Sequence, residues 1–344
     1  MRILLLSAAT LLLTSCQLTY LIKSGYHQAK ILGRRVPLDD ALAQPHLSAE
    51  MKDKIKLTKE VRAFIQSKLK LKLGSNYTSY VQLDQPYVTY ALSGAHAFEL
   101  KPYEWNYPLV GRLPYRGHFT KEDAEDDERD LSGQGYDTFV RGVTAYSTLG
   151  WLSDPLLSSM LRYQNGSLVN VVIHETVHAN LFIKGEADFN ERLATFIGNI
   201  GTEMFYLERE GSSSSELQRI RDSAHDDKLF SEFLSAELES LRTWYEQNKG
   251  NITIDTKAAR LKEIQTRFEK TVWPKMKTKD YAFFMGEKLN NARLLSFKTY
   301  FYDLSDFEKI YESMGRDFQK FFEFCKSLED AGDPEEALKA RSPS

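Results

Sequence analysis

The chain has 344 residues, a formal net charge of −3 and a sequence pI of about 6.2. Apolar residues make up 42% of it and aromatic residues 12%, which is ample for a packed core and excludes wholesale disorder. The nearly balanced charge gives no indication of a nucleic-acid-binding surface, and no repeat of fixed period indicates a solenoid or propeller. A chain of this length forms one large domain or two modest ones.

The N-terminus has the pattern of an export signal. A basic second residue is followed by an apolar run over 3–13 that is too short to span a bilayer. The small residues before Cys16 complete a sequence that resembles the bacterial lipobox, in which the cysteine is diacylated and becomes the first residue of the mature protein. Gln17 at the next position then implies the outer membrane, and we expect the protein to face the periplasm. The alternative is an ordinary secretory signal with a chance cysteine.

Cysteine usage predicts a fold without disulfides. Lipidation of Cys16 leaves Cys325 as the only other cysteine, in an aromatic surrounding. An unpaired cysteine of this kind is typical of a small buried hydrophobe rather than of a reactive thiol. A large core must therefore stabilise the protein.

The first half of the mature chain mixes helices with short strands. A tether and a first helix are expected within 17–48, and a second amphipathic helix over 49–73. Segments rich in aromatic and β-branched residues are the strand candidates, at 77–83, 87–92, 107–115 and 136–143. An acidic surface helix is expected at 120–131.

The second half is predicted to be helical almost to its end. Apolar residues recur at three- and four-residue spacing in six segments, at 167–183, 188–210, 215–248, 255–270, 279–300 and 305–328. The fold class is therefore α+β and mostly helical, and the motif that carries chemistry lies where the mixed part meets the helical part.

This motif is the segment His174-Glu175-Thr176-Val177-His178, within an apolar helical run. Positions four apart lie on one face of a helix, so both imidazoles can bind a single zinc ion. Glu175 flanks the metal, where it can take a proton from a metal-activated water and return it to the leaving amine. A chance match in a chain of this length is on the order of 1 in 100. The alternative is a pair of core histidines with ordinary hydrogen bonds.

A catalytic zinc ion takes three protein ligands and keeps a fourth position open. We expect the third ligand at Glu191. The pattern Asn-Glu-x-x-Ala that begins at Asn190 resembles the third-ligand motif of the zinc peptidases called gluzincins, and twelve residues separate His178 from Glu191. Glu186 and Asp188 are rival ligands.

The two ligand helices are expected to pack antiparallel across a tight connection. Gly185 is expected to end the first helix, and Asp188 or Asn190 to cap the second. The small residues Gly198 and Gly201 would let the second helix approach the first closely.

The chain resembles a family of bacterial lipoproteins described as predicted aminopeptidases of the zincin type. The resemblance rests on segments that cover nearly all of the mature chain in order: Ala63-Phe64, Val110–Gly117, Gly135–Asp137, Ala145–Leu156, His174–His178, Phe189–Glu191 and Leu289–Leu294. Glu186 stands where the family has Asp, and Arg192 where it has a small or hydroxyl residue, so the substrate preference does not follow from the resemblance.

The resemblance implies a zincin-like domain over 49–330, with a small mixed sheet beside the active-site helix and a helical C-terminal half. A signal peptide (1–15), a lipid-anchored tether with a first helix (16–48) and a flexible tail (331–344) complete the division of the chain. It also implies a zinc aminopeptidase with one Zn²⁺ per chain, held by His174, His178 and Glu191.

Two further sets of residues are candidates for contact with a peptide substrate. In a zincin, the sheet edge beside the motif helix binds the peptide backbone, and Tyr146 follows a predicted strand. We expect its hydroxyl to donate to the developing oxyanion, the alternative being a core tyrosine beside a turn. The second set is Asn290, Asn291 and Arg293. We expect these side chains either to hydrogen-bond the substrate backbone or to cap and bridge helices.

The chain is therefore expected to hydrolyse peptide bonds, with Glu175 as general base and then general acid. The preference for an aminopeptidase rests on the resemblance, because no residue for a free amine is identified. An endopeptidase or a cell-wall amidase fits the same ligands. A non-catalytic binding or assembly factor is a further alternative, with 215–248 and 297–324 as partner surfaces. The expected partners are a peptide substrate and the membrane that holds lipidated Cys16, and no nucleic acid.

Overall fold

The computed structural model describes residues 23, 25–107, 111–145, 148, 152–298 and 303–342. Cys16 and the rest of the predicted signal peptide lie outside these residues. Among the described helices, none combines the length and the apolar character that crossing a bilayer requires.

The chain enters the fold through three helices and a short strand. Helix α1 covers 25–33, and strand β1 (Val36–Pro37) leads directly into α2 (Leu38–Ala43). Helix α3 (Ala49–Phe64) begins where the Ser48 hydroxyl accepts a hydrogen bond from the backbone N–H of Met51. It continues into a π-helical turn over Ile65–Leu69. The strand at Val36–Pro37 falls within the predicted tether, which is therefore part of the folded structure.

A first sheet joins the two ends of the mixed half. Strand β2 (Ser79–Val81) lies between β1 and β8 (Leu156–Leu157), antiparallel to β1 and parallel to β8. Tyr80 is the shared register position, opposite Val36 on one side and Leu156 on the other. This small mixed sheet shares a hydrophobic core with the helix that carries the motif.

A second sheet is antiparallel throughout. Strand β3 (Thr89–His96) lies between β6 (Tyr115–His118) and β7 (Tyr136–Val143), while β4 (Trp105–Tyr107) pairs with β5 (Gly111–Leu113). We call the order β6-β3-β7 the three-stranded sheet. Both strands predicted at 77–92 are present, but they belong to different sheets. Strand β2 pairs with β1 and β8, whereas β3 pairs with β6 and β7.

Helix α4 (Lys121–Gly133) covers one face of the three-stranded sheet. The Thr120 hydroxyl caps its N-terminus by accepting from the N–H of Asp123. Gly94 allows the contact, because a Cβ there would lie 2.7 Å from a methyl carbon of Leu131. The acidic segment is thus a surface helix with one buried edge, as predicted.

The remaining elements are helices, which confirms the predicted α+β, mostly helical class. They are listed in chain order: α5 (Asn165–His178), α6 (Ala187–Glu210), α7 (Ser215–Gln247), α8 (Ile254–Arg267), α9 (Phe283–Gly286), α10 (Asn291–Lys298), α11 (Ser305–Ser313), α12 (Phe318–Ser327) and α13 (Pro334–Arg341).

Two hydrophobic cores divide the molecule. The first core gathers α3, α5, α6, the small mixed sheet and the helices α11 to α13. The second core lies in the helical half, between α7, α8, α9 and α10, and is built around Phe230, Phe268 and Phe284. Cys325 is buried in the first core, and burial raises the pKa of its thiol.

The C-terminal end differs from the prediction in two places. The segment 305–328 is two helices rather than one, because Gly315 and Arg316 adopt positive φ and the Asp317 side chain caps α12. The segment 331–344, predicted to be a flexible tail, contains α13. Its Leu338 is fully buried in the first core, and Asp333 caps the helix.

Candidate active site

The His174–His178 motif occupies the C-terminal end of α5. The apolar positions of this helix, among them Leu168 and Val172, are fully buried in the first core. His174 and Glu175 lie at the edge of that buried face and are partly exposed. The two imidazoles are one turn apart, and their Nε2 atoms approach to 3.2 Å. The Nδ1 atom of His178 is buried and has no hydrogen-bond partner among the described residues, so Nε2 is the ring nitrogen that faces the site.

Helix α5 ends five residues before the predicted end, because the Asn180 side chain replaces the next helical turn. Its amide nitrogen donates to the carbonyls of Thr176 and Lys72, both at 2.8 Å. Its amide oxygen accepts from the backbone N–H of Lys72 at 2.8 Å. This side chain therefore fixes the end of the ligand-bearing helix against the segment that follows α3.

A short connection leads from α5 to α6. Gly185 has φ +91° and allows the tight turn that ends at Glu186. Helix α6 begins at Ala187 with no side-chain hydrogen bond at its N-cap. The prediction that Asp188 or Asn190 caps this helix is therefore wrong.

Asn190 instead holds the connection to the helix. Its side chain is buried, accepts from the N–H of Ile183 at 2.8 Å and donates to the carbonyl of Ile183 at 2.7 Å. Phe189 on the preceding position is buried against Phe307. With the two preceding residues fixed in this way, Glu191 is presented from the N-terminal part of α6 toward α5.

The two ligand helices pack closely, as the small residues predicted. A Cβ at Gly198 would lie 3.1 Å from the amide oxygen of Asn170, and one at Gly201 would lie 3.2 Å from the side chain of Ile173. A larger residue at either position would therefore require the facing side chain or the helix to move.

His174, His178 and Glu191 form the cluster of potential metal ligands found among the described residues. The Glu191 carboxylate lies 3.5 Å from the Nε2 atom of His174 and 3.4 Å from that of His178. Each histidine contacts a different oxygen of this carboxylate, and the two Nε2 atoms are 3.2 Å apart. Ligands about 2.0–2.1 Å from a tetrahedral zinc ion are separated by about 3.3 Å. The donor set and its spacing therefore fit a zinc ion with three protein ligands.

The charges within the triad are strongly coupled. Burial opposes ionisation of Glu191, but hydrogen bonds from His174 and His178 outweigh it and hold the pKa of Glu191 well below its usual value. Burial would lower the pKa of His178, but the hydrogen bond to Glu191 and the charges of Glu191 and Glu175 raise it. The site thus favours positive charge, from protons or from a metal ion.

Glu175 lies next to the triad and experiences the opposite effect. Burial raises the pKa of its carboxyl, and the charges of Glu191 and Asp154 add to this, against the lowering effect of the two histidines. A carboxyl whose pKa is moved toward neutrality can both accept and release a proton.

Two tyrosines that the sequence did not indicate lie near Glu175. Tyr77 is buried with φ +56°, and burial followed by the charges of Glu175 and Asp154 raises its pKa well above the usual value. Burial and the charge of Glu175 raise the pKa of Tyr163 to about 12. The Tyr163 hydroxyl is hydrogen-bonded to Thr144. Tyr77 is distant from the motif along the chain and Tyr163 lies just before α5, and no sequence pattern joins either of them to the motif.

The other predicted site residues are placed as follows. Tyr146 lies outside the described residues. Asp188 is exposed and Glu186 is half-buried at the start of α6, and neither belongs to the ligand cluster. Arg293 pairs with Glu287 and lies over the ring of Phe139 at 4.7 Å.

Asn290 and Asn291 connect α10 to the three-stranded sheet. The Asn290 side chain donates to the carbonyl of Thr138 and accepts from the N–H of Arg293. The buried Asn291 amide donates to the carbonyls of His96, Ala97 and Glu99 and accepts from the Tyr245 hydroxyl. These contacts are those of a helix cap and a bridge between elements, the second of the two roles expected for these residues.

Residues 19–339 match the family model described as "Putative aminopeptidase". Because the match covers most of the chain, the protein belongs to that family, and the family points to a peptidase. The chain has no match among curated proteins or among solved structures.

Proposed function

We propose that this protein is a zinc metallopeptidase of the zincin type, in which His174, His178 and Glu191 hold one Zn²⁺ ion. The observation that carries the proposal is the spacing of the triad, in which the two imidazole Nε2 atoms are 3.2 Å apart and each lies 3.4–3.5 Å from an oxygen of the Glu191 carboxylate. An ordinary pair of core histidines does not explain why a carboxylate from a second helix converges on both rings. The arrangement of two ligands on one helix and a glutamate on the next is the one expected for a gluzincin-like site.

When bound, a zinc ion acts as a Lewis acid toward the scissile carbonyl and lowers the pKa of coordinated water to about 7. The proton transfers then belong to the chain. Glu175 takes a proton from the attacking water and returns it to the leaving amine, a double role for which its raised pKa is suited. We also retain the Tyr146 hydroxyl as the expected donor to the developing oxyanion, whereas the Asn291 amide and the Arg293 guanidinium are engaged within the fold.

Metal analysis of the purified protein tests the proposal directly. We expect about one zinc ion per chain in the wild type and its loss in His178→Ala. His46→Ala is the matched control, because His46 is an exposed histidine in the connection between α2 and α3. If the wild type takes up no metal even when zinc is offered, the protein is better described as a non-catalytic lipoprotein that binds or assembles partners.

Within the peptidase class, we propose an aminopeptidase, in agreement with the family to which the chain belongs. Matched peptides with free and acetylated N-termini distinguish the alternatives. An aminopeptidase cleaves only the free peptide, whereas an endopeptidase or a cell-wall amidase cleaves both.

We further propose that the mature protein begins at Cys16 and is held by acyl chains at the outer membrane, facing the periplasm. Each buried CH₂ group contributes about 0.8 kcal/mol, so several chains give firm anchoring. Cys16→Ser should move the protein from the membrane fraction to the soluble fraction of the periplasm. Membrane association that is unchanged in this variant would contradict the lipid anchor.

A further inference from the structure

An exposed aromatic ring lies directly beside the proposed metal ligands. Phe182 follows His178 by four residues, and the ring centroids of the two side chains are 6.4 Å apart, with an angle of 69° between the ring planes. The rings of His174 and His178 are related in a similar way, at 4.9 Å and 80°. The three side chains therefore form a row of edge-to-face rings. Phe182 is the most exposed member of this row, with 42% of the residue accessible to solvent.

The connection between α5 and α6 holds Phe182 in this outward position. Leu181 and Ile183 on either side of it are buried in the first core. The N–H of Leu181 donates to the carbonyl of Val177 at 2.9 Å, which ties it to the end of α5. The backbone of Ile183 is held by the side chain of Asn190. Since both neighbours are fixed, the ring of Phe182 cannot enter the core without displacing one of them.

The Phe182 ring lies within reach of a substrate at the metal site. A metal ion bound at about 2.0–2.1 Å from the Nε2 atom of His178 is about 3 Å from the centre of that imidazole. The Phe182 ring is therefore centred no more than about 10 Å from the metal position. Successive residues of an extended peptide are about 3.3 Å apart. A large side chain next to the scissile bond can therefore contact this ring.

We propose that the ring of Phe182 forms an apolar subsite that binds a hydrophobic side chain of the peptide, on one of the two residues that flank the scissile bond. Single exposed apolar residues are common on protein surfaces, and the position beside a ligand histidine indicates a role for this one. Contact with an apolar side chain removes both surfaces from water. This inference rests on the proposed peptidase function and names the substrate class of the same site, peptides with a large apolar residue at the cleaved bond.

Direct binding to the full-length Glu175→Gln protein supplied with zinc, measured by calorimetry, tests the preference. Three dipeptide amides serve as probes: Ala-Ala amide, Leu-Ala amide and Ala-Leu amide. We expect one of the two leucine peptides to bind about tenfold more tightly than Ala-Ala amide, because its larger side chain buries more apolar surface against the ring. The peptide that shows the preference identifies which flanking residue Phe182 contacts.

Substitutions at Phe182 assign the preference to this residue. In the same background, Phe182→Ala should bring the affinity ratio close to one, whereas Phe182→Leu should keep part of it, because leucine offers a smaller apolar surface. Phe98→Ala is the matched control. Phe98 is 46% exposed, and its ring lies 5.8 Å from the Nζ atom of Lys257 on α8 rather than against a ligand helix. The ratio in this control should equal that of the parent.

Zinc content distinguishes a substrate subsite from a purely structural role. If Phe182 only supported the His178 ring, Phe182→Ala would lower the zinc content and weaken the binding of all three probes together, with the affinity ratio unchanged. A subsite predicts the reverse, in which the ratio changes and the zinc content stays close to that of the parent. Metal analysis of the two proteins, made alongside the calorimetry, provides this comparison.

Three outcomes overturn the proposal: equal affinity for all three probes, no binding of any probe, and a ratio that persists in Phe182→Ala. If Phe182→Ala does not fold, Phe182→Leu decides, since a reduced ratio supports the subsite and an unchanged ratio rejects it. Turnover by the wild type separates this inference from the proposed function. Zinc-dependent cleavage of the three peptides with equal kcat/KM rejects the apolar subsite alone. The absence of zinc-dependent cleavage of any peptide rejects the peptidase, and the binding ratio still decides the subsite.

Discussion

Each of the two cores contains a buried or half-buried glutamate with nitrogen partners, and the partners differ. In the second core, Glu237 on α7 receives two hydrogen bonds from Arg267, at 2.5 and 2.6 Å, and lies 3.6 Å from Arg260. At the edge of the first core, Glu191 faces His174 and His178 instead. A guanidinium is always charged, so the pairs of Glu237 are permanent. Imidazoles can release their protons, so the group around Glu191 can exchange protons for a metal ion.

The same contrast holds for the surroundings of the two sites. In the helical half, the fully buried Asp226 accepts from the backbone N–H groups of Lys277 and Thr278 and from the Thr278 hydroxyl, so its charge is satisfied within the fold. In the first core, Tyr77 has a positive φ, and the charge of Glu175 acts on its hydroxyl. Such a conformation costs about 1–3 kcal/mol and persists where the surroundings hold it in place. The stabilising network and the reactive site are thus in different parts of the molecule.

The largest expected effect concerns the candidate active site beside Glu191, and it comes from Glu175→Gln. Removal of this proposed general base should lower turnover by roughly 10²–10⁴-fold, while zinc content and thermal stability stay close to those of the wild type. Glu186→Gln, at the start of α6 and outside the ligand cluster, is the control and should retain activity. Turnover that persists in Glu175→Gln would remove this residue from the mechanism.

The next effect concerns the second core. Glu237→Gln removes the buried partner of Arg260 and leaves this guanidinium with only the exposed carboxylate of Glu263, and loss of one member of a buried pair costs about 3–5 kcal/mol. We expect a loss near the lower limit, because 41% of the Arg267 side chain is exposed and can be hydrated. Denaturant unfolding measures it, and zinc binding should not change. Glu239→Gln, whose side chain is 68% exposed, should cost far less, and equal losses would show that the buried network is not stabilising.

The secondary structure could be predicted from the sequence where the periodicity of apolar residues was strong. The strand at Tyr136–Val143 and the helices α6 and α7 are found within one residue of their predicted bounds, because each carries an unbroken apolar pattern. The proximity of the potential ligands His174 and His178 could also be predicted, since a helix necessarily places positions 174 and 178 on one face. The third potential ligand was indicated by a local pattern in the next helix. The early end of α5 was not predicted, because it depends on the contact between Asn180 and Lys72, 108 residues apart.

Contacts over long sequence separations explain most of what the sequence did not reveal. The family segments at Gly135–Asp137 and Leu289–Leu294 contact each other, since Asp137 accepts from the N–H of Asn291 and also pairs with Lys257. Neither segment indicates the other on its own. Tyr77 and Tyr163 approach Glu175 only through the fold. Side chains that act across elements are therefore identified by structure rather than by pattern.

A smaller effect is expected from Asn190→Ala, which removes both hydrogen bonds to Ile183, leaving its buried N–H without this partner and its carbonyl with only the N–H of Glu186. This should cost about 1–3 kcal/mol in the free energy of unfolding. It should also weaken zinc affinity, because Glu191 loses its fixed neighbour. Asn248→Ala is the matched control at the end of α7, where one hydrogen bond to the Trp244 carbonyl is lost. A change in zinc affinity that is the same in both variants would contradict the positioning role of Asn190.

The smallest effect is a pH dependence of the metal-free protein that belongs to the triad. Burial alone would raise the pKa of Glu191 and lower that of His178, but the contact between Glu191 and the histidines outweighs burial for both groups. The pKa of Glu191 therefore lies below its usual 4.5 and that of His178 above its usual 6.5. A lowered carboxyl pKa stabilises the fold above the unfolded value, and this stabilisation is lost as pH falls through the folded value. A raised imidazole pKa stabilises the fold below the unfolded value, and this stabilisation is lost as pH rises through the folded value. Both are therefore present between about pH 4.5 and 6.5.

In the absence of metal, the stability difference between the wild type and Glu191→Gln should be largest in this window and decrease on both sides of it, as denaturant unfolding at several pH values can measure. A difference that does not vary with pH would mean that the triad is not coupled as described. At pH values above this range, zinc should reverse the direction in which the stability changes with pH. Because metal binding needs neutral imidazoles, stabilisation by zinc should increase with pH while the proton-dependent pairing is lost. The pairing of Glu237 with arginines should show neither trend, since guanidinium groups do not titrate in this range.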